Sequence, residues 1–292
     1  MSGEGIPSVV VDNVSRKYEV NVARQRRPGV RGRVRSMAGG GHILTVHALR
    51  AVSFVAHRGE TIGLVGTNGS GKSTLLRLIA GLDQPSRGQV LAQSNPMLLG
   101  VSAALQQDLS GEENARLGLL ALGFRPAEVD EALERVYDIA SIGEAIRRPM
   151  RTYSSGMGAR LRFAIAAAAE PDILLLDEVM STGDAASAQR AEARMREIRS
   201  RAGTVFVVSH AAQTIEETCT RALWIHEGML IQDGEAEATA RAYRLWAWSV
   251  ATGETDKAEG LLRQAMEERL GVDDSAREVD EVMGTIERQM RA

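Results

Sequence analysis

The sequence predicts an α/β protein built on a parallel β-sheet, with a helical insertion and a helical C-terminal tail. Short apolar runs of strand length alternate with segments of helical periodicity, which is the pattern of strands joined by crossover helices. The pattern is mostly helical between about residues 101 and 165, and again from about residue 235 onward. The 292 residues, of which 44% are hydrophobic and 25% charged, are typical of one large or two ordinary globular domains.

Three apolar runs of strand length come first, at residues 8–11, 51–56 and 61–65. A helix follows the third run, because Leu75 and Leu78 fall on one helical face and Gly81 is a typical stop signal. Within the helical insertion, Pro126 suits a helix start, and apolar residues recur at helical spacing. These residues are Val129, Leu133, Val136 and Ala140. Strand character returns at residues 173–176, 205–208 and 222–225.

The tail is predicted to be helical because two apolar stripes run through it. One stripe comprises Leu262, Met266 and Leu270, and the other comprises Val279, Met283, Ile286 and Met290. Such a stripe favours packing or a dimer contact over a ligand site. We expect the aromatic residues Tyr243, Trp246 and Trp248 to pack the tail against the body of the protein.

Residues 66–73 have the sequence Gly-Thr-Asn-Gly-Ser-Gly-Lys-Ser, between the third strand and the first helix. A loop of this kind points successive backbone N–H groups inward and, with the helix N-terminus, forms a cradle for a polyphosphate. Lys72 can reach the terminal phosphates, and the Ser73 hydroxyl can hold Mg²⁺. A tight strand-to-helix turn needs no Lys-Ser pair at its end. The loop therefore predicts a nucleoside triphosphate site.

Two carboxylates end the buried run at 173–176, and a histidine ends another apolar run. Asp177 would act on Mg²⁺, directly or through water, and Glu178 would polarise the attacking water. His210 is a candidate for contacting the γ-phosphate. Small residues also precede a helix predicted to begin near Ser155, where N–H groups and the Ser154 hydroxyl could bind phosphate. An N-capped helix alone would also explain that last segment.

Together these residues resemble the ATP-binding-cassette (ABC) ATPases. Residues 66–73 match the Walker A motif, 153–157 the signature motif, 173–177 the Walker B motif, 181–184 the D-loop, and His210 the switch histidine. The resemblance covers about residues 8 to 234. It implies a P-loop NTPase fold with a RecA-like core, an antiparallel β-subdomain and a helical subdomain at about 101–165, in a domain of residues 1–234. Residues 235–292 would form a helical extension.

The resemblance further implies that two copies sandwich two ATP molecules with Mg²⁺, most simply as a homodimer. The nucleotide contacts that it implies are Tyr18, Gly66, Thr67, Asn68, Gly69, Ser70, Gly71, Lys72, Ser73 and Thr74, with Ser154, Ser155, Gly156 and Asp184. Ser73 and Asp177 would hold Mg²⁺, and the catalytic residues would be Glu178, His210 and Lys72. Tyr18 occupies the place of an aromatic residue that stacks on adenine.

The motifs of this chain depart from the common ones, and the variants resemble those of one subgroup. This subgroup comprises the ATPase subunits that export teichoic acid, O-antigen and related cell-surface polysaccharides. Residues 153–157, Tyr-Ser-Ser-Gly-Met, replace the common signature Leu-Ser-Gly-Gly-Gln. Some members carry a C-terminal carbohydrate-binding β-domain, for which this tail is too short and too helical. The glutamine that most cassettes place after the strand at 97–99 is missing, and Gln106 and Gln107 lie further on.

The resemblance therefore implies an ATPase subunit, peripheral to the cytoplasmic face of the membrane. It would power the export of a lipid-linked cell-surface polysaccharide or teichoic-acid-type polymer through a separate integral-membrane transporter subunit. Two alternatives stay open: a drug or lipid exporter, and a non-transport cassette ATPase of DNA repair or translation. No apolar stretch approaches the ~18 residues of a membrane-spanning helix. The net charge of −3 implies no bulk attraction to nucleic acid, and the single cysteine excludes an internal disulfide framework.

One basic insertion, at about residues 20–45, stands outside this plan. The chain has no acidic residue from Val20 to Gly59. Six arginines crowd the first half of this stretch: Arg24, Arg26, Arg27, Arg31, Arg33 and Arg35. The segment is either a solvated basic loop or a contact for anionic lipid headgroups or acidic partner surfaces, through residues 24–35. No nucleic-acid-binding motif accompanies it.

Overall fold

A computed structural model of the chain describes residues 5–22, 42–99, 105–177, 203–209, 211–271 and 274–291. Within these ranges the strands form two sheets, one of three strands and one of six. The predicted α/β class and the parallel central sheet are confirmed, as is the antiparallel β-subdomain that the resemblance implied. Residues 24–35, the arginine-rich part of the basic insertion, lie outside the described residues.

The smaller sheet is antiparallel, with the order β2-β1-β4. Its strands are β1 (Pro7–Val22), β2 (His42–His57) and β4 (Arg87–Ala92). Both β1 and β2 are much longer than predicted and shorten the basic insertion at each end. The β1–β2 pairing continues to Val22 and His42, whereas β4 follows β1 only as far as Ser15. The strands extend because apolar residues with high β-propensity, such as Val20 and Leu44, pair across the ribbon.

The larger sheet has the order β5-β6-β7-β3-β8-β9. Its strands are β3 (Thr61–Val65), β5 (Met97–Leu99), β6 (Ile173–Asp177), β7 (Thr204–Val208), β8 (Arg221–His226) and β9 (Met229–Glu235). All neighbours are parallel except β9, which pairs antiparallel with β8. The sequence analysis missed β9, although the Glu227-Gly228 pair between β8 and β9 is a hairpin signal.

Side chains alternate between the two faces of the larger sheet. In β6, Ile173 and Leu175 pack toward the antiparallel sheet and helix α1 (Lys72–Ile79), whereas Leu174 and Leu176 pack toward other helices. This double-sided burial is why the parallel strands are continuous apolar runs. The helical insertion contains α2 (Gly111–Ala121), α3 (Pro126–Ala140) and α4 (Ser155–Ala167), which share a separate apolar core. Short 3₁₀ helices at Gly143–Arg147 and Met150–Thr152 connect α3 to α4.

After α5 (Ala212–Thr218), the tail forms α6 (Ala236–Ala251), α7 (Thr255–Gly271) and α8 (Asp274–Arg291). Tyr243 and Trp246 of α6 stack on the buried Trp224 of β8, as expected. The prediction was wrong for Trp248, whose side chain is 52% exposed because it lies on the outer face of α6. Within the described helices, none combines the length and the apolar character that a membrane crossing requires.

The last helix returns to the antiparallel sheet. Val279 of α8 is buried against Val10 and Val55 on the outer face of that sheet, with Met283 packed beside them. The Glu278 carboxylate also lies 3.3 Å from His57 Nε2. This stripe is therefore an internal packing surface, as are Leu262 and Met266 of α7. The side chains of Leu270 and Met290 fall outside the described part.

Candidate nucleotide site

The phosphate loop joins β3 to α1 at the carboxyl edge of the larger sheet. Gly71 is the N-cap residue of α1, with a φ of 113° and no side-chain cap. A Cβ atom at Gly71 would lie 2.5 Å from the Ala48 carbonyl oxygen of β2, so glycine is required there by space as well as by conformation. The sequence analysis missed this contribution of β2, because the contact joins segments that are distant in the chain.

Lys72 is the buried cation of the loop. Its side chain is 6% exposed, and its ammonium donates to the carbonyl oxygens of Gly66 (2.7 Å) and Thr67 (2.9 Å). Burial lowers the pKa of Lys72, and the charge of Asp177 opposes this shift. Within the described residues both hydrogen-bond acceptors of the ammonium are neutral carbonyl groups, which favours the approach of an anion.

Ser73, in the helix that follows β3, meets Asp177, at the end of β6, across the end of β7, which lies between the two strands. Leu64 of β3 and Asp177 of β6 pair with the same residue, Val208 of β7, so the two strands end at one level. The Ser73 hydroxyl lies 3.4 Å from Asp177 Oδ1. Two oxygen ligands at right angles on Mg²⁺, each at about 2.1 Å, lie about 3 Å apart. The hydroxyl and the carboxylate therefore fit a shared Mg²⁺ ion.

Several predicted site residues lie outside the described residues. They are Glu178, Asp184 with the rest of the D-loop at 181–184, and His210. Their roles stay predictions. The loop residues Thr67, Asn68 and Gly69 are exposed, Ser70 is buried, and Thr74 follows Ser73 in the first turn of α1.

The signature segment begins a different helix, α4, in the helical insertion. Ser154 is the N-cap, and its hydroxyl accepts a hydrogen bond from the Met157 N–H (3.2 Å). Ser154 and Ser155 are exposed, and Gly156 is half-buried. Tyr153 fixes this start because its hydroxyl donates to the Ala145 carbonyl (2.8 Å). Among the described contacts, no hydrogen bond or ion pair connects this segment to the phosphate loop of the same chain.

Tyr18 lies beside Asp83, which follows the C-terminal end of α1. Its hydroxyl donates to Asp83 (3.0 Å), and the Arg16 guanidinium lies 4.7 Å from the centre of its ring. Hydrogen bonds from Tyr18 and Arg77 lower the pKa of Asp83, against an opposing effect of burial. Sequence reasoning found no signal for Asp83, since its partners come from two separate elements. The adenine-stacking role of Tyr18 remains a prediction.

Gln106 and Gln107 are exposed beside the start of α2. The Gln106 backbone exchanges hydrogen bonds with the Asn114 side chain, and the Gln107 carbonyl accepts from the Arg151 N–H. These contacts tie both glutamines to the helical insertion. In the described part of the chain, neither side chain contacts Ser73 or Asp177.

Comparison with known proteins agrees with this geometry. A family model described as "ABC transporter" matches residues 49–181. The chain is 38% identical over 199 residues to the teichoic acids export ATP-binding protein TagH of Staphylococcus epidermidis. This match covers 68% of the chain and 75% of that protein. It is also 38% identical over 196 residues to TagH of Listeria innocua, covering 67% of the chain but only 58% of that protein. The chain thus spans little more than half of the Listeria relative.

The fold is also similar to that of a solved structure. The dimeric ATP-binding cassette MJ0796, in a post-hydrolysis state bound to ADP and phosphate, matches with a TM-score of 0.59 and 21% identity. The match covers 78% of this chain and 98% of that one, and at this identity it shows the fold alone. The motif order, the fold and the match to the staphylococcal relative agree, and the chain belongs to the ABC transporter family.

Proposed function

We propose that this chain is an ATP-binding and ATP-hydrolysing subunit of an ABC exporter. The observation that carries the proposal is the meeting of Ser73 and Asp177 at 3.4 Å beside the buried Lys72. A cation, a hydroxyl and a carboxylate at the carboxyl edge of a parallel sheet are what a magnesium-bound triphosphate requires.

The proposed reaction is the attack of water on the γ-phosphorus of ATP, which breaks the bond to the β–γ bridging oxygen and releases ADP and phosphate. Lys72 and the backbone N–H groups of residues 69–72 would hold the phosphates, and Ser73 and Asp177 would hold Mg²⁺, which would offset the charge of the transferred group. Glu178, next to Asp177 in sequence, would orient the water and accept its proton. His210 would contact the γ-phosphate.

We infer that the active unit is a homodimer. Ser154 and Gly156 belong to the start of α4, which makes no described hydrogen bond or ion pair with the phosphate loop of its own chain, and Ser154 is exposed there. A second copy would bring this start to the ATP bound by the first copy, which is the arrangement that the resemblance implies, and the cassette of similar fold is dimeric. Ser155 and Asp184 would join that contact.

The cargo that we propose is a lipid-linked cell-surface polymer of the teichoic-acid or polysaccharide type. The support is the name shared by the staphylococcal and Listeria relatives, both of which are teichoic acids export proteins. The chain would sit at the cytoplasmic face of the membrane, bound to a separate membrane subunit, with residues 24–35 as a candidate contact for anionic lipid. The division into residues 1–234 and 235–292 belongs to the same proposal.

Two other functions are weaker candidates. A drug or lipid exporter would use the same ATP chemistry, and only the motif variants and the relatives' names favour a polymer. A non-transport cassette ATPase is disfavoured because the sequence holds a single phosphate loop and no long coiled-coil insertion.

The hydrolysis role is tested by Glu178→Gln. We expect this variant to bind ATP like the wild type while kcat falls by about a hundredfold or more, because the amide cannot accept the proton of the attacking water. Phosphate release and equilibrium ATP binding measure the two effects separately. Turnover at the wild-type rate would contradict the role of Glu178.

The same variant tests the transport function, since it should remain closed on ATP. We would purify it with ATP from detergent-solubilised native membranes. A co-purifying multi-helix membrane protein with lipid-linked glycan is the expected result. Recovery of ribosomes or DNA-bound proteins without a membrane protein would contradict the exporter function and favour the non-transport alternative.

A further inference from the structure

The turn between β8 and β9 is bonded to the phosphate loop. This turn consists of Glu227 and Gly228, far from the loop in sequence. The Gly228 N–H donates to the Ser70 carbonyl oxygen (2.9 Å), and the Gly228 carbonyl accepts from the Arg50 N–H of β2 (2.8 Å). One residue therefore connects the phosphate loop, the antiparallel sheet and the β8–β9 hairpin.

The bond to Ser70 fixes the direction of the next N–H group in the loop. The Ser70 carbonyl and the Gly71 N–H belong to one peptide group, and in a trans peptide they point in opposite directions. No cis peptide occurs in the described residues. Because the Ser70 carbonyl is held toward Gly228, the Gly71 N–H is directed away from the turn. Within the described part of the chain, no protein acceptor pairs with that N–H.

Only glycine fits at position 228. Glu227 and Gly228 have φ values of 48° and 79°, as a two-residue hairpin turn of type I′ requires. A Cβ atom at Gly228 would lie 2.8 Å from the Ala48 carbonyl oxygen and 3.1 Å from Leu49 Cα. Both neighbours are backbone atoms of β2, and Leu49 is fully buried. A side chain at this position would therefore push the turn away from β2 and from Ser70.

We propose that Gly228 is a positioning residue for phosphate binding, which acts by orienting the Ser70–Gly71 peptide group so that the Gly71 N–H faces the bound phosphate. This assignment rests on the proposed ATP-binding function. It makes the hairpin that leads into the C-terminal extension part of the support of the nucleotide site.

The test compares Gly228→Ala with a matched control, Gly253→Ala. Gly253 has nearly the same φ (77°), but an added Cβ would meet no atom within 4 Å. Both variants therefore strain the backbone alike, and only Gly228→Ala disturbs the bond to Ser70. We expect Gly228→Ala to weaken ATP binding by about tenfold, the loss of one hydrogen bond to a charged group, and Gly253→Ala to leave it within about twofold. Titration with ATP and Mg²⁺ gives the affinities, and thermal unfolding shows whether both variants are folded at the temperature of the titration.

Equal ATP affinity in the two variants, with normal binding by the wild type, would overturn the assignment alone. A wild-type chain that does not bind ATP would contradict the proposed function, and the assignment with it. If Gly228→Ala does not fold, amide hydrogen exchange of the wild type decides. We expect ATP to slow exchange at Gly228 but not at Gly253, and unchanged exchange at Gly228 would overturn the assignment.

Discussion

The helices α1 and α4 begin in opposite ways, although both starts are predicted to bind phosphate. At the start of α1, Gly71 offers no side-chain cap, so the free N–H groups of the first turn have no acceptor from the cap residue. At the start of α4, the Ser154 hydroxyl already accepts the Met157 N–H. The first start therefore leaves its N–H groups open to water or a ligand, whereas the Ser154 hydroxyl satisfies one of those of the second.

The surroundings of the two helix starts differ in the same direction. Lys72 is buried, and desolvation lowers its pKa, which means that burial in the folded chain disfavours the charged form of its ammonium. Ser154 is exposed at the surface of the helical insertion, so its hydroxyl is not desolvated on folding. The start of α1 thus resembles a ligand site whose buried cation lowers the stability of the folded chain. The start of α4 resembles an exposed surface to which a second molecule can bind.

Of the changes that test this difference between the two helix starts, replacing Lys72 should have the largest effect. We expect Lys72→Met to weaken ATP binding by about 10- to 100-fold, because a charge-assisted contact to phosphate is lost. The melting temperature should stay equal or rise, since the variant no longer buries a cation. Equilibrium ATP titration and thermal unfolding measure the two effects. Lys257→Met, on α7, is the control, and a Lys72→Met chain that keeps wild-type affinity would contradict the role of Lys72.

Removing the cap of α4 should have a smaller and different effect. Ser154→Ala loses the hydrogen bond to Met157 and about 1 kcal/mol of folding stability. Ser110→Ala is the control, since the Ser110 hydroxyl also caps a helix, α2, by accepting from the Glu113 N–H, and in addition donates to the Glu113 carboxylate. Both variants should lose stability, Ser110→Ala at least as much, and keep monomeric ATP binding, but only Ser154→Ala should weaken dimerisation in ATP.

Sedimentation of the two cap variants in the Glu178→Gln background, which favours the closed dimer, measures this difference. If both variants dimerise equally well, Ser154 is only a helix cap. The dimer would then have to be assembled through other residues.

The starts of both helices could be predicted from sequence because their signals are local. Gly-Lys-Ser at 71–73 and the serines before α4 indicate helix starts within a few residues, and the structure places the starts at Lys72 and Ser155. The continuous apolar runs of β6 and β7, which are buried along nearly their whole length, were equally local. Position in the chain also sufficed for Asp177, because parallel strands end at one edge.

Contacts between distant segments could not be predicted in this way. The Tyr18 hydroxyl bonds to Asp83, which is distant in sequence. The phosphate loop is bonded to Gly228 and lies close to Ala48 through backbone atoms, which carry no residue signature. Trp246 and Trp248 look alike in sequence, yet one is 5% and the other 52% exposed. Residues two positions apart on a helix point in directions about 200° apart, so Trp246 and Trp248 lie on opposite sides of α6. Only the neighbouring elements decide which of the two sides is covered.

The smallest expected effect is a proton linkage at Lys72. Because burial lowers the pKa of Lys72, the folded chain without ATP binds fewer protons than the unfolded chain as pH approaches 10.5, so this group makes stability rise with pH there.

Bound phosphate should raise the pKa again, because it places negative charge beside the ammonium. ATP binding should therefore be accompanied by proton uptake at alkaline pH, below the usual lysine pKa of 10.5. Calorimetry in two buffers of different ionisation enthalpy measures this uptake, and Lys72→Met should abolish it. The start of α4 holds no such cation, so proton uptake that survives in Lys72→Met would mean that the linkage arises outside the phosphate loop.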